Sequence, residues 1–265
     1  TYKNTVLADN PTIYVRLDEP AFPSSSYPSP STYPVANNCG LIGAAGNGYY
    51  QPGTVPGVSG PPFSGFGGSS RAVAINGCSG AVDVGAGSLP AELNPTSKSP
   101  FTVAGWFQAN PADAPSRFQE IVGHGSSSWR LAMDSTAAGL RFNPGNNPEL
   151  QFANTADIVT NGFLVNDGKW HFAVGVSDGT NDYLYIDGLL ARSGTGVGSI
   201  AGTSLDALLG GDPNNLLQIY NGSPTSQPRY FDGQIAQIAF FTNALSAAQV
   251  QQMYSAAGVP PSFWL

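Results

Sequence analysis

The sequence predicts an all-β protein, a sandwich of two antiparallel sheets with one short C-terminal helix. Three observations carry this reading. Short runs of β-branched, aromatic and aliphatic residues follow one another closely from residue 71 onward. Turn residues separate them, and the chain holds 33 Gly and 22 Pro in 265 residues. Helical periodicity is missing between the runs and emerges only near the end, which is the pattern of a sandwich or barrel.

The first strand is "TIYVRL" (12–17). Between Glu19 and Arg71 no side chain is charged. Pro removes backbone donors and Gly costs entropy, so this stretch predicts neither a helix nor good sheet. Disordered loops are usually charged, whereas this one carries Phe22, Tyr27, Tyr33, Tyr49, Tyr50, Phe63 and Phe66. It reads as an ordered coat at about 20–70, pinned on the sandwich by its aromatics and by Cys39. Strands then follow at "RAVAIN" (71–76), "AVDVG" (81–85), "FTVAGWFQA" (101–109), "FQEIVGHG" (118–125), "WRLAMD" (129–134), "GLRFN" (139–143) and "ELQFA" (149–153).

In 170–177, Trp170, Phe172, Val174 and Val176 alternate with smaller or polar residues, a period of two. "DGTN" is a turn, Tyr183–Ile186 the return strand, and Asp187-Gly188 a hairpin turn leading into "LLARS" (189–193). Turn chemistry accounts for Asp167, Asp178 and Asp187. His171 sits mid-strand with no histidine near it in sequence and reads as structural. A strand from about Phe231 to Phe241 precedes the helix. Ser246 is its N-cap, Gln249 completes a capping box, and Leu245 staples onto Val250. Gly258 ends it ahead of Pro260 and Pro261. Val250, Met253 and Tyr254 would dock it.

In order, "YVRLDE" (14–19), "AVAINGCSGAVDV" (72–84), "FTVAGWFQ" (101–108), "DGKWHFAVGVSDG…LYIDGLL" (167–190) and "FDGQIAQIAFFTNALSAAQV" (231–250) resemble the laminin G-like, concanavalin A-like jelly-roll domains of bacterial and phage proteins. The resemblance implies one such domain over 1–258, followed by a tail at 259–265. It implies function only by analogy, because the fold serves lectins, glycan-cleaving enzymes, adhesion modules and structural parts. The acidic pair common in the family's last strand is replaced here by Ala236 and Gln237, which weakens a calcium assignment.

Composition narrows the partners. Only 10% of residues are charged and the net charge is −7, against about 25% charged in an average domain. No basic run exists, which argues against nucleic acid. No apolar run approaches the roughly 18 residues of a membrane span, so no membrane insertion is expected. Cys39 and Cys78 both flank turns. Either they form one disulfide in an oxidising, extracellular setting, closing a loop of about 40 residues and contributing about 4 kcal/mol, or they remain two unpaired thiols.

Catalysis finds little support. Glycoside hydrolysis needs two facing carboxyls roughly 5–10 Å apart, and none of the four glutamates, Glu19, Glu92, Glu120 and Glu149, has an acid at the spacing the fold's enzymes use. A Gly-x-Ser-x-Gly elbow is absent, and a histidine metal site would require His124 and His171 to meet. The chain reads as a non-catalytic, secreted carbohydrate-binding or adhesion domain. Sugar contacts are expected from Trp129, Tyr220 and Tyr230 with Asn214, Asn215 and Asn221. No cofactor is required. Calcium is the one ion that the oxygens of Asp212 and Asp18 suggest. Expected partners are a glycan or glycoprotein surface. The alternative is copies of the chain itself, as a structural subunit of an extracellular assembly, with segment 20–70 and Phe263, Trp264 and Leu265 as interfaces.

Overall fold

The computed structural model describes all residues except 23–32, 86–88, 96–97, 112–118, 126–127, 134–148, 153–164, 196–202, 214–228 and 261–265; of 149–152 it describes only the backbone. Fifteen strands are β1 (Ile13–Val15), β2 (Val35–Ala36), β3 (Gly48–Tyr50), β4 (Val55–Ser59), β5 (Arg71–Asn76), β6 (Val82–Val84), β7 (Phe101–Ala109), β8 (Gln119–Gly123), β9 (Trp129–Met133), β10 (Glu149–Phe152), β11 (Trp170–Ser177), β12 (Asn181–Ile186), β13 (Leu189–Thr195), β14 (Ala207–Leu209) and β15 (Asp232–Phe241). The α-helices among the described residues are α1 (Tyr2–Ala8) and α2 (Ala247–Ala257). An eight-stranded sheet runs β13-β12-β11-β7-β15-β5-β4, with β1 also on β15; a seven-stranded sheet runs β10-β9-β8-β14-β6-β3-β2. The strand pairs are antiparallel. The two-sheet sandwich read from the sequence is the fold.

Alternation explains how β7 can be buried on both sides. Val103 and Phe107 enter the core between the sheets, while Ala104 and Trp106 enter a second apolar cluster on the outer face of the eight-stranded sheet. That outer cluster is closed by α1 and α2, through Tyr2, Val6, Val250, Met253 and Ala257. The predicted caps of α2 are present: Ser246 and Gln249 form the capping box, and Gly258 takes the left-handed conformation. Helix α1 corrects the expectation of a single helix. It has only seven residues, too few for a readable period; the Thr1 hydroxyl caps it, and Tyr2 and Val6, one turn apart, bury it.

At the far hairpin, Asp187 and Gly188 both have positive φ, 53° and 80°, the turn that Asp-Gly predicted. The coat also differs from expectation, because residues 35–59 contribute strands to both sheets. They do so at edges: β2 and β4 each have one neighbour, where Pro56 removes no needed donor. Tyr50 and Phe63 are buried, so aromatics do pin the segment. Cys39 does not, since Cys39 and Cys78 are both free and exposed. The Cys39 N–H bonds Tyr14 O beside β1, and Cys78 sits in a turn tied by Asn76 Oδ1. In this structure the two are separate free thiols, each on a backbone turn of its own.

Candidate functional site

One region of the outer face of the eight-stranded sheet lies beyond the helices. There β4, β5, β15 and β7 run side by side. Val55 pairs with Ala74, Ala74 with Gln234, and Gln234 with Gln108. One step along, Asn76 pairs with Asp232, and the Asn110 N–H bonds Asp232 O at 3.0 Å. Strands spaced by about 4.8 Å make this row roughly 14 Å wide, enough for a short oligosaccharide. It floors an open groove of about 580 Å³, walled by Gly53, Pro111 and Gly168. The groove arises because the positions facing out change character along each strand. Trp106 gives way to Gln108, and Ala236 to Gln234 and Asp232.

Its polar atoms are partly engaged. Asn110 Nδ2 donates to Asp232 Oδ2 at 3.0 Å, and Gln108 Nε2 donates to Gly168 O at 2.6 Å. Gln234 Oε1 is buried without a hydrogen-bond donor among the described residues. Such an atom costs about 1–3 kcal/mol until a partner supplies a proton.

The wall at Gly168 is fixed by His171. This buried imidazole contacts Asp187 Oδ2 through Nδ1 at 2.9 Å and Asp167 Oδ1 through Nε2 at 3.1 Å. Burial alone would lower its pKa, but the two carboxylates outweigh burial and hold it above its ordinary value. Asp167 also accepts from the Lys169 N–H, closing the turn around Gly168. The other histidine, His124, is pushed down to about 4 by burial. Its ring nitrogens meet Ser128 Oγ and Leu205 O. Both imidazoles are engaged on both sides in separate places, so they form no joint metal site.

Of the sugar-contact residues chosen from sequence, the two that are described, Trp129 and Tyr230, lie in the core. Trp129 is 1% exposed; it lies in the core and donates from Nε1 to Leu93 O at 2.9 Å. It offers no face to a sugar, because the outward face of β9 belongs to Arg130 instead. Tyr230 is buried in the same core and covers Gly211. Asn214, Asn215, Tyr220 and Asn221 lie outside the described residues, as do Phe263, Trp264 and Leu265.

The calcium oxygens are held by arginines. Asp212, fully buried, pairs with Arg229 at 2.9 Å, and Asp18 pairs with Arg16 at 2.7 Å. Among the described residues no three Asp, Glu, His or Cys side chains gather for a metal.

Two acids from distant segments do converge, which strand-local spacing could not reveal. Glu120 lies 3.6 Å from Arg130 and 4.0 Å from the Arg229 that holds Asp212. Burial, then the charge of Asp212, push the Glu120 carboxyl well above its ordinary range, against the two arginines. Opposed carboxyls of unequal pKa can serve as acid and base. Here both are fully buried and tied to guanidiniums, and neither lines the groove.

Solved structures share the fold at low identity. Domain 4 of AbnA, a GH43 extracellular arabinanase from Geobacillus stearothermophilus, solved in complex with arabinotriose, is 15% identical with a TM-score of 0.54, covering 92% of this chain and 98% of that one. The binding domain of Paraclostridial Mosquitocidal Protein 1 is 13% identical with a TM-score of 0.55, covering 94% and 52%. Trypanosoma rangeli sialidase is 11% identical with a TM-score of 0.54; 93% of this chain spans only 33% of it. Enzymes and binding domains thus share this fold. No curated protein matches the sequence. The family model for the concanavalin A-like lectin/glucanases superfamily matches residues 80–251, and the chain belongs to that family.

Proposed function

We propose that the protein is a non-catalytic, extracellular carbohydrate-binding or adhesion domain whose ligand lies in the groove over Gln108, Gln234 and Asp232. The observation that supports this most is the groove itself, an open 580 Å³ cleft floored by amides and a carboxylate, with the buried Gln234 Oε1 left to be satisfied. Binding sites are concave and place a few polar groups to fix orientation. The lining includes a single carboxylate among its described residues, Asp232, whereas glycosidic cleavage uses two. The arabinanase domain solved with arabinotriose supports a glycan as ligand by analogy of fold. Calorimetry with a panel of oligosaccharides tests the reading. Binding without release of new reducing ends, weakened at least fivefold in Gln234→Ala, is expected. Binding unchanged in Gln234→Ala and Gln108→Ala would move the site elsewhere, and cleavage would make the domain an enzyme.

A second reading, association with copies of itself, draws on the sheet edge. Among the described residues strand β13 pairs only with β12, and it carries Leu189 and Leu190 at 58% and 52% exposure. A long exposed edge with apolar side chains is a template for antiparallel pairing with a second copy. Sedimentation of the full chain over a wide concentration range is expected to reveal a dimer that Leu190→Lys dissolves; a monomer throughout removes this reading.

A further inference from the structure

We infer that the groove selects neutral, hydroxyl-rich glycans and rejects acidic ones such as uronic-acid or sialic-acid oligomers. The inference rests on the glycan-binding reading above and concerns which sugars that site accepts. The described lining holds Asp232 and no Lys, Arg or His. Three of its amides each donate one hydrogen bond within the protein. Asn110 Nδ2 goes to Asp232, Gln108 Nε2 to Gly168 O, and Asn76 Nδ2 to Ser79 Oγ at 3.5 Å. The one charge of the described lining is the Asp232 carboxylate, set among neutral amides with Gln234 Oε1 as an unpartnered acceptor. Acceptors demand donors. A sugar hydroxyl donates and accepts at once, so a neutral sugar can satisfy Gln234 Oε1 and hydrogen-bond the carboxylate.

A ligand carboxylate or sulfate brings acceptors only. Placed beside Asp232 it would meet a like charge that no Lys, Arg or His of the described lining offsets, in a protein whose net charge is already −7. Like-charge juxtaposition across an interface is a strong source of rejection. The contrast with lectins that read acidic sugars is chemical: such recognition uses arginines in bidentate contact with carboxylate, and the described lining of the groove holds none.

The test compares neutral arabino-oligosaccharides and cello-oligosaccharides with oligogalacturonates of equal length, by calorimetry on the full chain. At least one neutral series is expected to bind about tenfold or more tightly than the acidic one, a ratio equal to about 1.4 kcal/mol. Asp232→Asn should shrink that ratio to about threefold or less. Should the variant fold poorly, salt supplies the second readout on the wild type: residual binding of the acidic series should strengthen as ionic strength rises, because screening relieves repulsion. Acidic oligomers that bind as tightly as neutral ones, and lose affinity in Gln234→Ala, would overturn the selectivity while leaving glycan binding intact. No binding by any oligosaccharide would overturn both.

Discussion

The outer face of the eight-stranded sheet has two halves built on the same strands. In one, Ala72, Trp106, Phe172 and Ala236 are buried beneath α1 and α2. In the other, Ala74, Gln108, Gln234, Asn76, Asn110 and Asp232 floor an open groove. The backbone is continuous, and only the residues at every second position change. An apolar face must be covered, so it recruits helices. A face of amides is satisfied by water or by a ligand, so it can stay open. Stability and recognition are therefore separated along single strands, and substitutions in the two halves should have opposite signatures.

The largest effect is expected at Trp106. It is fully buried and stacks on Phe172 and Tyr254, with centroids 5.2 and 6.0 Å away. Trp106→Ala should cost about 3–5 kcal/mol in denaturant unfolding. A loss below 1 kcal/mol would mean that the helix-covered half is not a true second core.

An intermediate effect separates two aspartates. Asp182 lies on the inner side of β12 with Leu184 and Ile186, and burial raises its pKa to about 7. A carboxyl raised on folding favours the native state while protonated. That contribution is complete below the unfolded value of about 3.9 and is lost as pH rises through 7. Asp182→Asn should flatten this slope and stabilise the protein at pH 8 by about 2–3 kcal/mol. Asp232→Asn, in the groove, should instead change ligand affinity. Parallel profiles for the wild type and Asp182→Asn, followed by thermal melts from pH 4 to 8, would refute the assignment of a buried acid.

The smallest effects contrast a cap with the groove. Ser246→Ala removes the capping box of α2 and should cost about 1 kcal/mol of stability with no change in ligand affinity. Gln234→Ala should not destabilise, because it removes a buried oxygen that has no donor among the described residues, yet it should weaken binding. Equal stability losses in the two variants would erase the distinction between the halves.

The contrast also explains what the sequence made legible. Period-two runs located β5, β7, β11 and β15, because a half-buried strand writes its face directly into alternate residues. Ser246, Gln249 and Gly258 marked α2 through local hydrogen bonds. Helix α1 stayed hidden because its burial depends on tertiary contacts with Trp106 and Phe172. Two aromatics of the expected site proved to be core residues for a related reason. Trp129 and Tyr230 were singled out as loop aromatics, but an aromatic at a strand end next to a turn can point either way. The switch from Trp106 to Gln108 to Asn110 was present in the sequence, yet it identifies a groove only once β5 and β15 are known to flank β7. The Glu120–Asp212 convergence likewise depends on the β8–β14 pairing.

The central claim is that the amide-floored half of this face is where ligand binds. Side-chain amide NMR signals report on it most directly, followed while a neutral oligosaccharide that binds the full chain is titrated in. Signals of Gln108, Gln234, Asn76 and Asn110 should shift together and saturate at the calorimetric affinity, while those of Gln249 and Gln237 stay still. Saturable binding that leaves the four groove amides unmoved would contradict the account.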